Sequence, residues 1–139
     1  MIALDANILL EILENRGQVA AVKQAIAKFE SQAEDLAISV LSVADIFYLA
    51  EAHKLPVKRV EKLIRAFQIY SITPADISWA FSNWKGKDFE DALQIAAALR
   101  ENCNCFLTLD KALAKKYGVL MEIRIPALSE HGGRWEQPA

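Results

Sequence analysis

The chain has little of several residue types, and each scarcity removes a class of protein. Its 139 residues include five glycines, four prolines, two cysteines and two histidines, and 16 Lys plus Arg nearly balance 18 Asp plus Glu. A formal net charge of −2 gives no general attraction to nucleic acid, so a polyanion would have to be held by a local basic patch or a bound cation. No glycine-rich turn follows the first apolar run. Asp5-Ala6-Asn7 stands where a dinucleotide- or nucleotide-triphosphate-binding loop would be, which argues against both. Cys103 and Cys105 have no second pair and lack the ligand count of a structural zinc site, so two buried reduced thiols are expected. His53, at a helix end, and His131, in the tail, fit solvated positions better than catalytic ones. No basic segment leads into an apolar core with a cleavage site, and Asp5, Glu11 and Glu14 interrupt the early apolar run. The expectation is a cytoplasmic protein with no membrane span.

What is present is 53% hydrophobic residues, enough for one ordinary domain that buries roughly two thirds of its unfolded surface. Residues 1–128 read as that domain and 129–139 as a loosely ordered tail, given Gly132-Gly133 and Pro138. Met1 to Leu4 reads as a buried strand ending in Asp5, with Asn7 capping a short helix over Ile8 to Leu13. Val19, Val22, Ile26, Phe29 and Ala33 recur at helical spacing within 18–34. Leu36 to Val40 predicts a second strand and Ser42 to about His53 a helix. Pro56 opens another, with Lys58, Arg59, Lys62 and Arg65 opposite its apolar side. Ile69 to Ile72 predicts a third strand, and Thr73-Pro74-Ala75-Asp76 a capping box whose helix would bury Ile77, Ala80, Phe81 and Trp84. An alanine-rich helix over 89–102, a strand from Cys103 to Leu109, a short helix ending at Tyr117-Gly118 and a strand from Val119 to Ile125 complete the pattern. Alternating strands and helices predict a parallel sheet with helices on both faces.

Asp5, Asp45, Asp91 and Asp110 each fall at a strand-to-helix turn or in a helix's first turn, so all four can face one edge of that sheet. In open α/β sheets this edge is where ligands bind. Four carboxylates there repel one another unless a cation joins them, and hard oxygen donors favour Mg²⁺ or Mn²⁺. Cations so held can activate water and stabilise displacement at phosphorus, which is nuclease chemistry. A plainer reading stands beside this. Ser42-Val-Ala-Asp45 has the form of a capping box, Asp88 and Asp110 can cap helices, and each acid gains about 0.3–1 kcal/mol from a helix dipole. Asp5 resists that reading, because a carboxylate ending an apolar strand is costly without hydrogen bonds or a cation.

The segments L-D-A-N-I-L-L-E-I-L, S-V-L-S-V-A-D, K-D-F-E-D-A-L-Q-I-A-A-A and F-L-T-L-D-K-A-L resemble the PIN-domain family, especially its VapC-like bacterial toxin ribonucleases. The resemblance runs from Met1 to about Pro126 and is most specific in D-F-E-D-A-L-Q followed by T-x-D. It implies a five-stranded parallel sheet in a three-layer α/β/α sandwich, a Mg²⁺ or Mn²⁺ site and endonucleolytic cleavage of RNA. Asp5, Asp91 and Asp110 match the family's first, third and fourth acids and are the implied metal ligands. Thr108 matches the hydroxyl residue of T-x-D, and Asn7 the neighbour in L-D-x-N. Asp45 stands where the family usually has Glu, one methylene longer, which points to contact with the metal through water. Ser42 and Asp88 are supporting residues, and Glu90 is a further acid beside Asp91. Lys58, Arg59, Lys62 and Arg65, with Lys111, Lys115 and Lys116, are candidate phosphate-binding strips or solvated faces. The implied partners are RNA, a small antitoxin that masks the site and a second copy in a homodimer. The rival is a catalytically weakened module that binds RNA or protein. An aspartyl-phosphate or receiver-type enzyme fits less well, since no D-x-D ends the first strand and no Lys closes the fifth.

Overall fold

The computed structural model describes residues 1–84 and 86–128, and the backbone of Trp135–Glu136. In chain order the elements are β1 (Ile2–Leu4), α1 (Ala6–Leu13), α2 (Val19–Ser31), β2 (Leu36–Ser39), α3 (Val40–Ala52), α4 (Val57–Ile64) and β3 (Gln68–Tyr70). There follow α5 (Pro74–Asn83), α6 (Phe89–Arg100), β4 (Cys105–Leu107), α7 (Lys111–Tyr117), β5 (Ile123–Pro126) and β6 (Trp135–Glu136). The strands lie in the order β3-β2-β1-β4-β5-β6, with β1 to β5 all parallel. Beyond the expected five strands, β6 pairs antiparallel with β5 through Pro126 and Trp135. The rest of the tail, His131 included, lies outside the described residues.

Strand alternation builds both interfaces. Ile2, Leu4, Ile38, Cys105 and Leu107 point to one face and pack with α1 to α4, where Leu9, Val22, Phe29, Ile46 and Val60 close the layer. Ala3, Ala37, Phe106, Ile123 and Ile125 point to the other and meet α5, α6 and α7. Ala92, Ala97 and Ala98 of α6 are fully buried, small side chains that let the helix sit close to the sheet. The connections from β1 and β2 use the first face and those from β3 and β4 the second, so the order reverses between β1 and β4. That reversal opens a crevice at their carboxyl ends.

Several sequence boundaries move. The third strand is Gln68–Tyr70, the fourth Cys105–Leu107 and the fifth Ile123–Pro126, so Cys103 lies outside its strand and is only half-buried. Burial pushes both thiols up, Cys103 to about 11 and Cys105 to about 12. Of the stripe expected to be buried on α5, Ala80 is buried, but Ile77, Phe81 and Trp84 are exposed, and Asp76 faces inward beside Ala80. The reason is Asp76. It completes the capping box by accepting from the Thr73 N–H at 2.8 Å, and it also accepts from Arg100 Nε at 2.9 Å, while Arg100 Nη2 reaches the Ser71 carbonyl at 2.6 Å. This network turns the acid of α5 toward α6, while Phe81 and Trp84 stay exposed, with their rings against Phe89 at the start of α6. Asp76→Ala should therefore cost about 2–3 kcal/mol in urea unfolding, since Arg100 and the Thr73 N–H lose their partner together.

Candidate active site

The site grows from the ends of β1 and β4. Asp5 follows β1 directly, and its N–H donates to the Leu107 carbonyl at 2.9 Å, continuing the sheet one residue past the strand. Its Oδ1 accepts from the Ala6 N–H at 2.8 Å, so Asp5, not Asn7, is the cap of a helix that begins at Ala6. Asn7 instead turns back to the sheet. Its Nδ2 donates to Asp5 Oδ2 at 3.3 Å and to Thr108 Oγ1 at 3.2 Å, and its Oδ1 accepts from the Leu109 N–H at 3.1 Å. Fully buried Thr108 donates to Asp5 Oδ2 at 2.8 Å and accepts from the Asp110 N–H at 3.0 Å. These bonds occupy both Asp5 oxygens and fix the carboxylate's orientation. Asp110 in turn caps α7, accepting from the Leu113 N–H at 3.0 Å.

The remaining acids arrive on helices from opposite layers. Asp45 lies in the second turn of α3, and Glu90 and Asp91 lie in the first turn of α6. Asp88 precedes α6 with φ 58°, a left-handed conformation that a non-glycine residue rarely adopts, and its side chain makes no cap bond. Six carboxylates, those of Asp5, Asp45, Asp88, Glu90, Asp91 and Asp110, line one open cleft of about 390 Å³ together with Asn7, Leu10 and Tyr48. Thus the four expected acids do converge. Ser42 does not line the cleft: α3 is capped by Ser39, whose Oγ accepts from the Ser42 N–H at 3.0 Å, because the helix starts at Val40, two residues earlier than expected.

The cleft's electrostatics are those of crowded like charges. Burial pushes Asp5 up to about 6 against the lowering hydrogen bonds from Thr108 and Ala6, and the charges of Asp110 and Asp45 add to the rise. Asp91 also rises to about 6, through burial first and then repulsion from Asp110, Asp5 and Asp88, which Lys116 partly opposes. Glu90 rises furthest, to about 8, because a hydrogen bond with Asp45 holds its proton, with burial and the charges of Asp45, Asp5 and Asp91 behind it. Sequence reasoning gave Glu90 no such contact, and it did not place Tyr48 at the cleft. Tyr48 had a readable signal, standing one helical turn after Asp45.

The donor set consists of hard oxygens whose mutual repulsion a divalent cation would relieve, so it fits Mg²⁺ or Mn²⁺ by chemistry. Among the described residues no three His, Cys, Asp or Glu side chains form a ready-made ligand group. Of the basic strips, Lys111 directly follows Asp110, and Lys116 Nζ lies 3.8 Å from Asp88 Oδ2. None of Lys58, Arg59, Lys62 and Arg65 lines the cleft. Arg59 and Lys62 flank a separate groove with Ile12, Leu13 and Leu63, and Arg65 pairs with Glu61 on its own helix. His53 sits at the exposed end of α3, paired with Glu14. Among the described residues no helix is long and apolar enough to cross a membrane.

The architecture has counterparts among solved structures. A toxin-antitoxin complex from Klebsiella pneumoniae aligns with a TM-score of 0.69 and 20% identity, over 88% of this chain and 95% of that one. VapBC2 from Rickettsia felis, bound to a DNA fragment from its promoter, aligns at 0.66 and 14% over 90% and 98%. Mycobacterium tuberculosis VapC20, a sarcin-ricin loop cleaving toxin, aligns at 0.66 and 12% over 83% and 94%. At these identities the likeness is one of fold. No curated protein matches the chain. The model of the PIN domain family matches residues 2–119, which takes in all six carboxylates of the cleft and four of the five parallel strands. The chain belongs to the PIN domain family.

Proposed function

We propose that the protein is a divalent-metal-dependent endoribonuclease, the toxin of a toxin-antitoxin pair. The observation that carries this reading is the meeting of Asp5, Asp91 and Asp110 with Asp45 and Glu90 in one cleft at the point where the strand order reverses. Asp5, Asp91 and Asp110 would hold Mg²⁺ or Mn²⁺, with Asp45 completing the site. The bound cation would activate a water and stabilise the attacking and leaving oxygens at an RNA phosphodiester. Asn7 and Thr108 keep the Asp5 carboxylate aimed, since they bond it and each other. With both carboxyls raised to about 6, Asp5 and Asp91 would have to be ionised to hold the cation, so its binding should weaken as pH falls through about 6. A calorimetric titration with Mn²⁺ separates this from the weakened binding module. Saturable binding that is lost in Asp91→Asn supports the enzyme, and no binding at millimolar Mn²⁺ refutes it.

Lys111, which follows Asp110, and Lys116, whose Nζ lies 3.8 Å from Asp88 Oδ2, are the better placed phosphate contacts, ahead of Lys115 on the same helix. For single-stranded RNA, the slope of log affinity against log salt should fall by about 0.7 for each contact removed by Lys111→Ala or Lys116→Ala. An unchanged slope would remove that role. The solved counterparts include toxin-antitoxin complexes, and a small antitoxin masking the cleft is the corresponding partner here. For the homodimer, the outward stripe of Ile77, Phe81 and Trp84 is the surface to test, an exposed apolar patch backed by Phe89, whose ring lies 5.3 Å from Phe81 and 5.6 Å from Trp84. Phe81→Glu should convert a dimer to a monomer in light scattering, and a monomeric wild type at high concentration would contradict the assembly.

A further inference from the structure

The acids of the cleft come from two helical layers that the sheet keeps apart. Asp45 is on α3, packed on one face, while Glu90 and Asp91 are on α6, packed on the other. At the carboxyl edge of β2 the two layers are joined by a closed ring of hydrogen bonds. The Ser42 N–H donates to Ser39 Oγ at 3.0 Å, Ser39 Oγ donates to Gln94 Oε1 at 2.9 Å, and Gln94 Nε2 donates to Ser42 Oγ at 2.8 Å. Ser39 and Ser42 are 0% exposed and Gln94 is 3% exposed. An apolar side chain would fill that space without needing partners, so the polar ring fixes relative position more than it adds burial.

Its location says what is fixed. Gln94 is three residues after Asp91 and four after Glu90 on α6, and Ser42 is three residues before Asp45 on α3, so each end of the ring shares a helix face with a cleft acid, one turn away. Asp45 and Glu90 also hydrogen-bond across the same edge, between the same two helices. The Gln94 ring carries no charge and does not depend on ionisation. We propose that Gln94, through Ser39 and Ser42, is a positioning residue that holds Asp45 against Asp91 and so sets the spacing of the cleft's two halves. The inference rests on the proposed cation role of the cleft.

The test is Mn²⁺ binding by the metal-free full chain, measured by calorimetry, with thermal melting recorded beside it. Ser42→Ala and Gln94→Met should each weaken Mn²⁺ affinity about tenfold, the scale on which groups orienting ligands act. In an Asp45→Asn background the same changes should alter affinity less than about twofold, because the ring acts through Asp45. Ser42→Ala keeps a good helix former on α3, so it reports even if Gln94→Met folds poorly. Affinity within about twofold of wild type in both single variants would overturn the proposal. So would an equal loss with and without Asp45, which is what a merely structural role gives. A wild type that binds no Mn²⁺ would overturn the function itself, and this inference with it, whereas a binding wild type with indifferent variants overturns this inference alone.

Discussion

Asp91→Asn should melt higher than wild type in chelator, by about 3 °C, and should cleave RNA more than about a hundredfold more slowly in Mn²⁺. The two effects have opposite signs because one charge serves two states. Without a cation, Asp91 is repelled by Asp110, Asp5 and Asp88, and removing its charge relieves about 1 kcal/mol, worth a few degrees in a domain of this size. In the proposed cation site the same carboxylate would be a ligand, and its loss would remove transition-state stabilisation. Asp5→Asn should lose cleavage equally but gain less in melting. Asp5 Oδ2 accepts from both Asn7 and Thr108 while Oδ1 accepts from Ala6, and an amide in either orientation turns a donor toward a donor. Differential scanning fluorimetry of both variants with and without Mn²⁺ checks the order. An Asp91→Asn protein that melts below wild type in chelator would mean that Asp91 is stabilising where it stands.

The metal-free protein should lose about 2–3 kcal/mol of stability between pH 4 and pH 7 from the cleft alone, and Mn²⁺ should offset that loss. Asp5 and Asp91 rise from 3.8 to about 6, so between those values the native state binds protons that the unfolded chain has released. Their contribution is fully present below about pH 4 and is lost as pH rises through about 6. Glu90, raised to about 8, extends the loss past neutrality. Cation binding needs the carboxylates ionised, so its stabilisation grows over the same interval, reaching about 2.7 kcal/mol when free metal is a hundredfold above its dissociation constant. Urea unfolding at pH 5, 6 and 7 should show stability falling with pH in chelator and nearly level in Mn²⁺. Parallel slopes would contradict a cation-binding cleft.

What could be read from the chain was local. Asp5 stood out because it ends a strand of Ile2, Ala3 and Leu4, where a carboxylate needs partners, and the structure supplies them from Ala6, Asn7 and Thr108. The parallel sheet followed from the alternation of apolar runs and helical spacing. The errors came where two local answers compete. Asn7 is a good cap by type, but Asp5 is one too and lies earlier, leaving Asn7 free to bridge to β4. Ile77, Phe81 and Trp84 form a helical stripe as regular as a core face, but the side of α5 that turns inward is the one on which Asp76 meets Arg100, 24 residues away, beside buried Ala80. The Asp45–Glu90 contact and the Ser39–Gln94–Ser42 ring join segments 45 to 55 residues apart across the sheet edge. Nothing in spacing along the chain reports such pairs, because they exist only once both helical layers have docked.

The central claim is that this cleft cleaves RNA with the help of a divalent cation, and a cleavage assay on purified protein tests it most directly. Wild type and Asp91→Asn would be incubated with single-stranded RNA in Mn²⁺, in Mg²⁺ and in excess chelator. The account predicts cleavage by wild type in metal, none in chelator, and a loss of more than about a hundredfold in Asp91→Asn. Equal cleavage in chelator, or full activity in the Asn variant, would contradict it.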